Sequence, residues 1–449
     1  MDVPCRFSKS LYSKMTPLPV NDNSSKIFYG YFVVAASVII MMISWGANRT
    51  FGVFLEPMLK EFGWTRAAIS GSFTLNMLVM GVVALAAGNL TDRLGPRVVL
   101  FVCGVFLGFS FILSAWVETI WDFYFFYGIV GGLGMSGILT PLMSAIVKWF
   151  VKRRAFMTGI IVAGPSLGIM IMPVFFTYLI SSLGWRSSYL ILGAVTLVAI
   201  VIPAFFIRQD PADKGLQPYG AGKISKRRSQ VPSPDIPFSE AVRTRQFWLV
   251  NLLAFCDLFL INVVAVHIVI HAMDLKIPAA QAASVLSLAA GIAIPGRILM
   301  GAVGDRIGNR PALLICLAMS IVAFSILLLA RNLGLLYLFA VLYGLGLWAT
   351  ASLLSPLVAE LFGLRFHATL YSWTVFTSCI GSAAGPVLAG ALFDTRGNYH
   401  LAFFLCLVFS VIGLVATLLI HPIQGKVKIG NCLSADCADY TDKKERKRK

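Results

Sequence analysis

Apolar residues arrive along this chain in twelve long blocks separated by short polar turns. The blocks fall near 28–54, 67–88, 97–117, 121–147, 155–180, 187–207, 247–271, 280–303, 311–330, 334–358, 368–392 and 400–421. At ~1.5 Å of rise per residue, a helix of about 20 residues crosses the ~30 Å hydrocarbon core of a bilayer. Blocks this long and this apolar predict helices, because a helix satisfies all of its backbone polar groups internally. The expected fold class is an all-α membrane protein with twelve transmembrane helices. The first block follows a polar start that includes Arg6, Lys9, Lys14 and Lys26. It is too long for a signal-peptide core and no small-residue cleavage site follows it, so it reads as a retained span.

Composition supports the same solvent. Hydrophobic residues make up 58% of the 449 positions and charged residues 13%, against about 25% charged in soluble chains. The net charge of +17 is informative through its placement. With both termini cytoplasmic, 29 Lys and Arg residues fall inside and 6 outside; without the two tails the ratio is still 17 to 6. That bias predicts a multi-pass protein of the cell (inner or plasma) membrane with cytoplasmic termini. The basic end, Lys443 to Lys449, reads as a lipid-facing anchor, and nothing resembles a nucleic-acid module. Of eight cysteines, five lie in blocks as small apolar residues. Cys432 and Cys437 fall in a cytoplasmic tail, where no disulfide is expected. No His/Cys cluster has metal spacing, so no metal or cofactor is expected. No nucleophile–base set or phosphate loop points to an enzyme.

A polar stretch from Arg208 to Gln246, with five prolines and a basic cluster at Lys223, Lys226, Arg227 and Arg228, reads as a flexible cytoplasmic linker. The domains expected are a tail (1–27), a six-helix bundle (28–207), the linker (208–246), a second bundle (247–421) and a basic tail (422–449). The halves repeat. Gly88-Asn-Leu-Thr-Asp92-Arg93-Leu-Gly95-Pro-Arg97 returns in the second half as Gly301-Ala-Val-Gly-Asp305-Arg306-Ile-Gly308-Asn-Arg310. The same offset in numbering carries Gly131 onto Gly344, Gly168 onto Gly381 and Pro173 onto Pro386. A duplicated six-span unit places a substrate site near the midplane, between the repeats.

The paired motifs resemble the Gly-x-x-x-Asp-Arg-x-Gly-x-Arg signature of the major facilitator superfamily. That resemblance implies two pseudo-symmetric six-helix bundles, with Asp92, Arg93, Arg97, Asp305, Arg306 and Arg310 bridging helix ends at a gate. A narrower likeness follows in the fifth block. Trp149-Phe150-Val-Lys152-Arg153-Arg154-Ala-Phe-Met-Thr-Gly159-Ile-Ile-Val-Ala163-Gly164 resembles the monocarboxylate transporter signature, and the oxalate/formate antiporter branch is similar there; Phe156, Met157 and Ile161 depart from it. Lys152, Arg153 and Arg154 read as a gate or packing element, and Gly159 and Gly164 as places where a neighbouring helix approaches closely. The resemblance implies a secondary transporter of small monocarboxylates of the lactate or pyruvate type. It would work by alternating access with proton coupling, as a monomer in the bilayer. An oxalate/formate-type exchanger, and a membrane sensor that does not transport, remain the alternatives.

Ionisable residues inside the blocks are the candidate chemistry. Arg297 lies 17 residues from the outer end of its block. Its fork suits a carboxylate, and the resemblance places the family's substrate arginine there through Arg-x-x-Met-Gly; snorkelling to headgroups is the competing reading. Where the family often has an Asp four residues earlier, this chain has Ala293. Asp257 is therefore the candidate proton carrier, with His267 second and a structural role open for each. Arg49 and its neighbour Asn48 stand near the outer end of the first block, where the resemblance places a substrate-linked Lys. Trp348, Phe376 and Cys379 are mid-depth and expected to wall the pocket. Ile138 replaces a Tyr seen in oxalate/formate relatives, and block eleven has no Lys; both favour a monocarboxylate over a dianion.

Overall fold

A computed structural model describes residues 28–221, 235–421 and 423. The two tails and the basic cluster of the linker lie outside the described residues. Among the described residues, twelve helices are long and apolar enough to cross a membrane. They are α1 (Tyr29–Phe62), α2 (Ala68–Leu94), α3 (Pro96–Ser114), α4 (Ile120–Trp149), α5 (Arg154–Leu183), α6 (Trp185–Ala204), α7 (Arg245–Asp274), α8 (Ala279–Ile307), α9 (Asn309–Leu329), α10 (Leu333–Phe362), α11 (His367–Arg396) and α12 (His400–Leu419). Within each half the pairs α1–α5 and α7–α11 pack most extensively.

Several ends differ from the sequence expectation. Helix α1 turns at Thr50 and runs on as Phe51–Phe62, through Glu56 and Lys60. Helices α2 and α8 continue several residues past their apolar stretches, so Asp92, Arg93, Asp305 and Arg306 occupy final helical turns and not loops. Gly95 (φ 86°) and Gly308 (φ 99°) end these helices in a conformation that only glycine adopts cheaply. Hydropathy ends where the lipid ends; the backbone ladder ends where a residue breaks it.

The repeat is visible contact by contact. A side chain at Gly168 would fall on Met42 O, and one at Gly381 on Phe255 O. Positions 168 and 381 are related by the motif offset, and so are 42 and 255. The glycines thus let α1 meet α5, and α7 meet α11, backbone to backbone. Gly159 likewise faces Arg297 O, Gly301 faces Ala155 O, and Gly164 lies 2.9 Å from Val38 O by the same measure. The close approaches expected at Gly159 and Gly164 are therefore present.

The linker is ordered at both described ends, unlike the flexible segment expected. Tyr219 O accepts from Val151 N (3.1 Å) and Lys152 N (3.0 Å). Asp235 Oδ1 accepts from Leu364 N (3.0 Å) and Arg365 N (3.1 Å). The two donor pairs occupy equivalent positions of the repeat. Each end of the linker clasps the loop that leads into α5 or α11.

Among the described residues, hydrogen bonds between the halves are confined to α2 against α11 and α5 against α8. All engage the motif-proximal parts of these helices. The far parts of α5 and α11 are open: Val174 is 73%, Tyr178 71% and Val387 74% exposed. Hydrogen bonds hold the halves together on the motif side.

Candidate functional site

The closed side is built from the two motif aspartates. Asp92 ends α2 and accepts from Ala368 N (3.2 Å), Thr369 N (2.7 Å) and Thr369 Oγ1 (2.7 Å) at the start of α11. Asp305 ends α8 and accepts from Ala155 N (3.0 Å) and Phe156 N (2.9 Å) at the start of α5. Each carboxylate binds the unpaired N–H groups and positive dipole end of a helix in the opposite half. Among the motif arginines, Arg97 and Arg310 stay within their own halves and do not bridge as expected. Arg97 lies over the Phe205 ring at 4.6 Å. Arg310 donates to Thr417 O (3.2 Å) and Leu418 O (2.6 Å) at the end of α12. Arg93 and Arg306 are exposed. In the signature before α5, Arg153 adopts a left-handed φ of 64° at the cap. Arg154 Nε donates to Phe150 O and its charge senses Glu360 and Asp305. Lys152 holds the linker through its N–H.

Deeper in the C-terminal half, three helices converge. Helix α10 breaks between Leu345 and Ala351 into a tight turn over Leu347–Ala349, which frees carbonyls from the helical ladder. Arg297 on α8 is 8% exposed. Its Nε donates to Trp348 O (3.1 Å), its Nη1 to Val162 O and to Ser166 Oγ (2.8 Å). The guanidinium lies 5.2 Å from the Trp348 ring centre. Among the described residues, no carboxylate is within ion-pair distance of it, and Nη2 has no hydrogen-bond partner. A buried cation without an anion is costly unless function supplies one.

Asp257 on α7 is 4% exposed. Thr350 Oγ1 lies 2.7 Å from Asp257 Oδ1 and 2.7 Å from Leu347 O. Thr350 Oγ1 is the donor to both, its one hydrogen shared between Asp257 Oδ1 and Leu347 O. Arg297 is the charged group that faces Asp257; Cys316, Tyr343 and Tyr371 surround it from α9, α10 and α11. Thr350 was not among the residues singled out from sequence. A hydroxyl inside an apolar helix gives no signal by itself; the break in α10 makes it matter.

The other candidates separate. Trp348 is at the site through its carbonyl and ring. Phe376 and Cys379 are half-buried and pack at Gly81 of α2, where a Cβ would lie 3.0 Å from Cys379 Cβ and 3.8 Å from Phe376 Cδ2; they stand at the α2–α11 crossing. Asn48 is fully buried and donates to Asn76 Oδ1 at 3.2 Å, within a network in which Asn76 donates to Tyr127 O and Tyr127 to Asn48 O. It ties α1, α2 and α4 together and is out of reach of a solute in this conformation. Its neighbour Arg49 is exposed, 5.7 Å from the Phe73 ring centre, with no hydrogen-bond partner among the described residues. His267 contacts Pro386 O (3.0 Å) and Tyr399 OH (3.2 Å). Pro386 O only accepts, which places a hydrogen on Nε2. Both ring nitrogens have partners, so in this conformation His267 ties α7 to α11 and to Tyr399 at the start of α12.

A sequence profile described as the Major Facilitator Superfamily matches residues 35–302 and 247–431. The chain belongs to this superfamily. Among curated relatives, the mouse protein named monocarboxylate transporter 2 is 25% identical over 386 residues, covering 83% of this chain and 79% of its own. Rat monocarboxylate transporter 13 is 25% identical over 397 residues, covering 86% and 87%. An MFS-type transporter of Ophiocordyceps is 28% identical over 355 residues, covering 75% and 73%. Among solved structures, the transporter FucP in its outward conformation superposes with a TM-score of 0.69 at 17% identity, covering 87% of this chain and 99% of that one. The human organic anion transporter MFSD10 superposes at 0.66 with 18% identity, covering 86% and 99%. These likenesses establish the twelve-helix fold. The chain is a multi-pass membrane protein of a transporter family and not an enzyme.

Proposed function

We propose that this protein is a secondary transporter of small monocarboxylates, working by alternating access between its two halves, with Arg297 as the carboxylate anchor. The observation that carries the reading is Arg297 itself: a buried guanidinium in the repeat interface, with a free Nη2 and no anionic partner among the described residues. Likeness to proteins named monocarboxylate transporters supports the substrate class. Trp348 forms a wall beside the anchor. Phe376 and Cys379 narrow the passage at the α2–α11 crossing. Arg49 is a second cation on the opposite half.

Asp257 is the proton carrier in this reading. It accepts a hydrogen bond from Thr350 Oγ1, and the cation that faces it is the one that binds substrate. Neutral Asp257 leaves Arg297 available to a carboxylate; charged Asp257 competes for it. The motif side is cytoplasmic by the distribution of basic residues, so the conformation is open outward. The protein acts as a monomer in the cell membrane. Labelling of Ser229→Cys by an impermeant reagent in intact cells would reverse that orientation.

The deciding experiment is carboxylate binding to purified Arg297→Ala, with circular dichroism to confirm folding. Loss of a charge-assisted hydrogen bond costs about 1.5–3 kcal/mol, so affinity falls at least about tenfold. Arg297→Lys keeps the charge without the fork and recovers part of it. A folded Arg297→Ala that binds as well as wild type moves the anchor to Arg49.

A further inference from the structure

Counting hydrogens on Arg297 exposes a feature beyond its role as an anchor. Nε carries one hydrogen and gives it to Trp348 O. Nη1 carries two and directs them at Val162 O and Ser166 Oγ. Only Nη2 is left. A carboxylate that grips a guanidinium with both oxygens needs hydrogens on two adjacent nitrogens. In this conformation both edges of the fork are closed by one occupied nitrogen, and the site accepts a carboxylate through Nη2 alone.

The occupying groups come from different halves. Trp348 is on α10, in the same half as Arg297, and moves with it. Val162 and Ser166 are on α5, in the other half. They meet Arg297 because α5 and α8 are drawn together on the motif side by Asp305 and by the close approach at Gly159. Alternating access parts α5 from α8 there. That motion withdraws Val162 O and Ser166 Oγ, frees both hydrogens of Nη1, and opens the Nη1–Nη2 edge to bidentate binding. Asp257 lies beyond ion-pair distance and is bonded to Thr350, so it does not fill the vacated edge while it keeps its proton.

We propose that Ser166, with the Val162 carbonyl, is a built-in competitor for the substrate carboxylate at Arg297, so that the conformation with α5 and α8 parted binds a small carboxylate more tightly than the conformation described here. The inference rests on Arg297 as the anchor and deepens it. Ser166 is a positioning residue: it holds the guanidinium in the closed gate and sets the ratio of affinities between the two states. A ligand shifts a two-state equilibrium only by the ratio of its affinities for the two states. One added charge-assisted hydrogen bond makes that ratio about tenfold. Substrate therefore pulls its own gate open.

The test measures that ratio. Spin labels at Lys214→Cys and Glu240→Cys, both exposed and on linker ends that pack against opposite halves at the motif side, report parting of the halves by pulsed electron–electron distances, in a chain whose eight native cysteines are replaced. Acetate, lactate and pyruvate are each added to saturation to the full chain in nanodiscs. In wild type, the effective carboxylate raises the ratio of parted to closed molecules about tenfold. In Ser166→Ala the parted fraction is higher without ligand and the ligand-induced change shrinks to about threefold or less. Ser166→Thr, which keeps the hydroxyl, restores the wild-type response. A Ser166→Ala response equal to wild type, or a ligand that closes the gate, overturns the proposal. A ligand response that survives in Arg297→Ala, or no wild-type response to any of the three, overturns the anchor reading instead.

Discussion

Replacing Asp92 by Asn tests the gate with a change of one atom. The carboxylate accepts from Ala368 N, Thr369 N and Thr369 Oγ1 across the interface between halves. An amide keeps one accepting oxygen and presents an N–H₂ group where the other stood. Ala368 N is met by Oδ1, and both Thr369 donors by Oδ2, so either orientation of the amide abandons at least one N–H. A hydrogen bond to a charged group contributes about 1.5–3 kcal/mol, and loss of charge at the α11 N-terminus removes about 0.3–1 kcal/mol more. Relative to the parted state, the closed state is weakened by about 2–4 kcal/mol. At ~1.4 kcal/mol per decade this moves the equilibrium between halves by roughly thirty-fold to several hundred-fold. The distance distribution between labels at positions 214 and 240 then shifts toward separation, and carboxylate affinity changes less than the distribution does. Arg97→Ala is the comparison: Arg97 contacts Phe205 in its own half, and its loss leaves the distribution near wild type. A folded Asp92→Asn protein with an unshifted distribution and strongly weakened binding refutes the assignment of Asp92 to the gate.

Asp257→Asn removes the titratable carboxyl while keeping an oxygen that can accept from Thr350 Oγ1; accumulation driven by a pH gradient in proteoliposomes is expected to vanish while carboxylate exchange persists, and pH-driven uptake at the wild-type level makes Asp257 structural. Asp235→Ala releases Leu364 N and Arg365 N, so amide hydrogen exchange in the loop before α11 is expected to quicken by at least about tenfold, the equivalent of one lost charge-assisted bond; unchanged protection there shows that the linker does not hold the loop.

Sequence made the fold legible because its two strongest signals, apolar block length and the recurrence of one motif at one offset, are imposed by the bilayer and by duplication. It also located Arg297 and Asp257, since a charge in a block of Leu, Ala and Gly stands out in one dimension. Other features were beyond one dimension. Asn48 and Arg49 are adjacent in the chain, yet one is fully buried against Asn76 and the other exposed beside Phe73. A helix turns successive residues by about 100°, so neighbours in sequence face different surroundings, and the short motif match could not say which face was which. Ser166 and Thr350 had no sequence signal because hydroxyls in membrane helices commonly bond their own backbone, as Ser37 and Ser44 do here. Prolines and charges in the linker gave no sign that its described ends clasp loops 151–152 and 364–365.

The offset between the halves also shows where the symmetry stops. Gate contacts obey it on both sides: Asp92 with 368 and 369, Asp305 with 155 and 156. The site does not. The counterparts of Asp257 and Arg297 in the first half are Ser44 and Ala84, and those of Trp348 and Thr350 are Met135 and Gly137. The two gate contacts close the same side together, with the same kind of bond on each flank. With Arg297 and Asp257 in one half, the proposed anchor rides with that bundle while the other bundle supplies or withdraws its competitors. A site built equally on both halves would keep its partners in proportion through the cycle. A site on one half changes its free hydrogens whenever the other half moves, and that difference is what lets binding of a solute be felt by the gate.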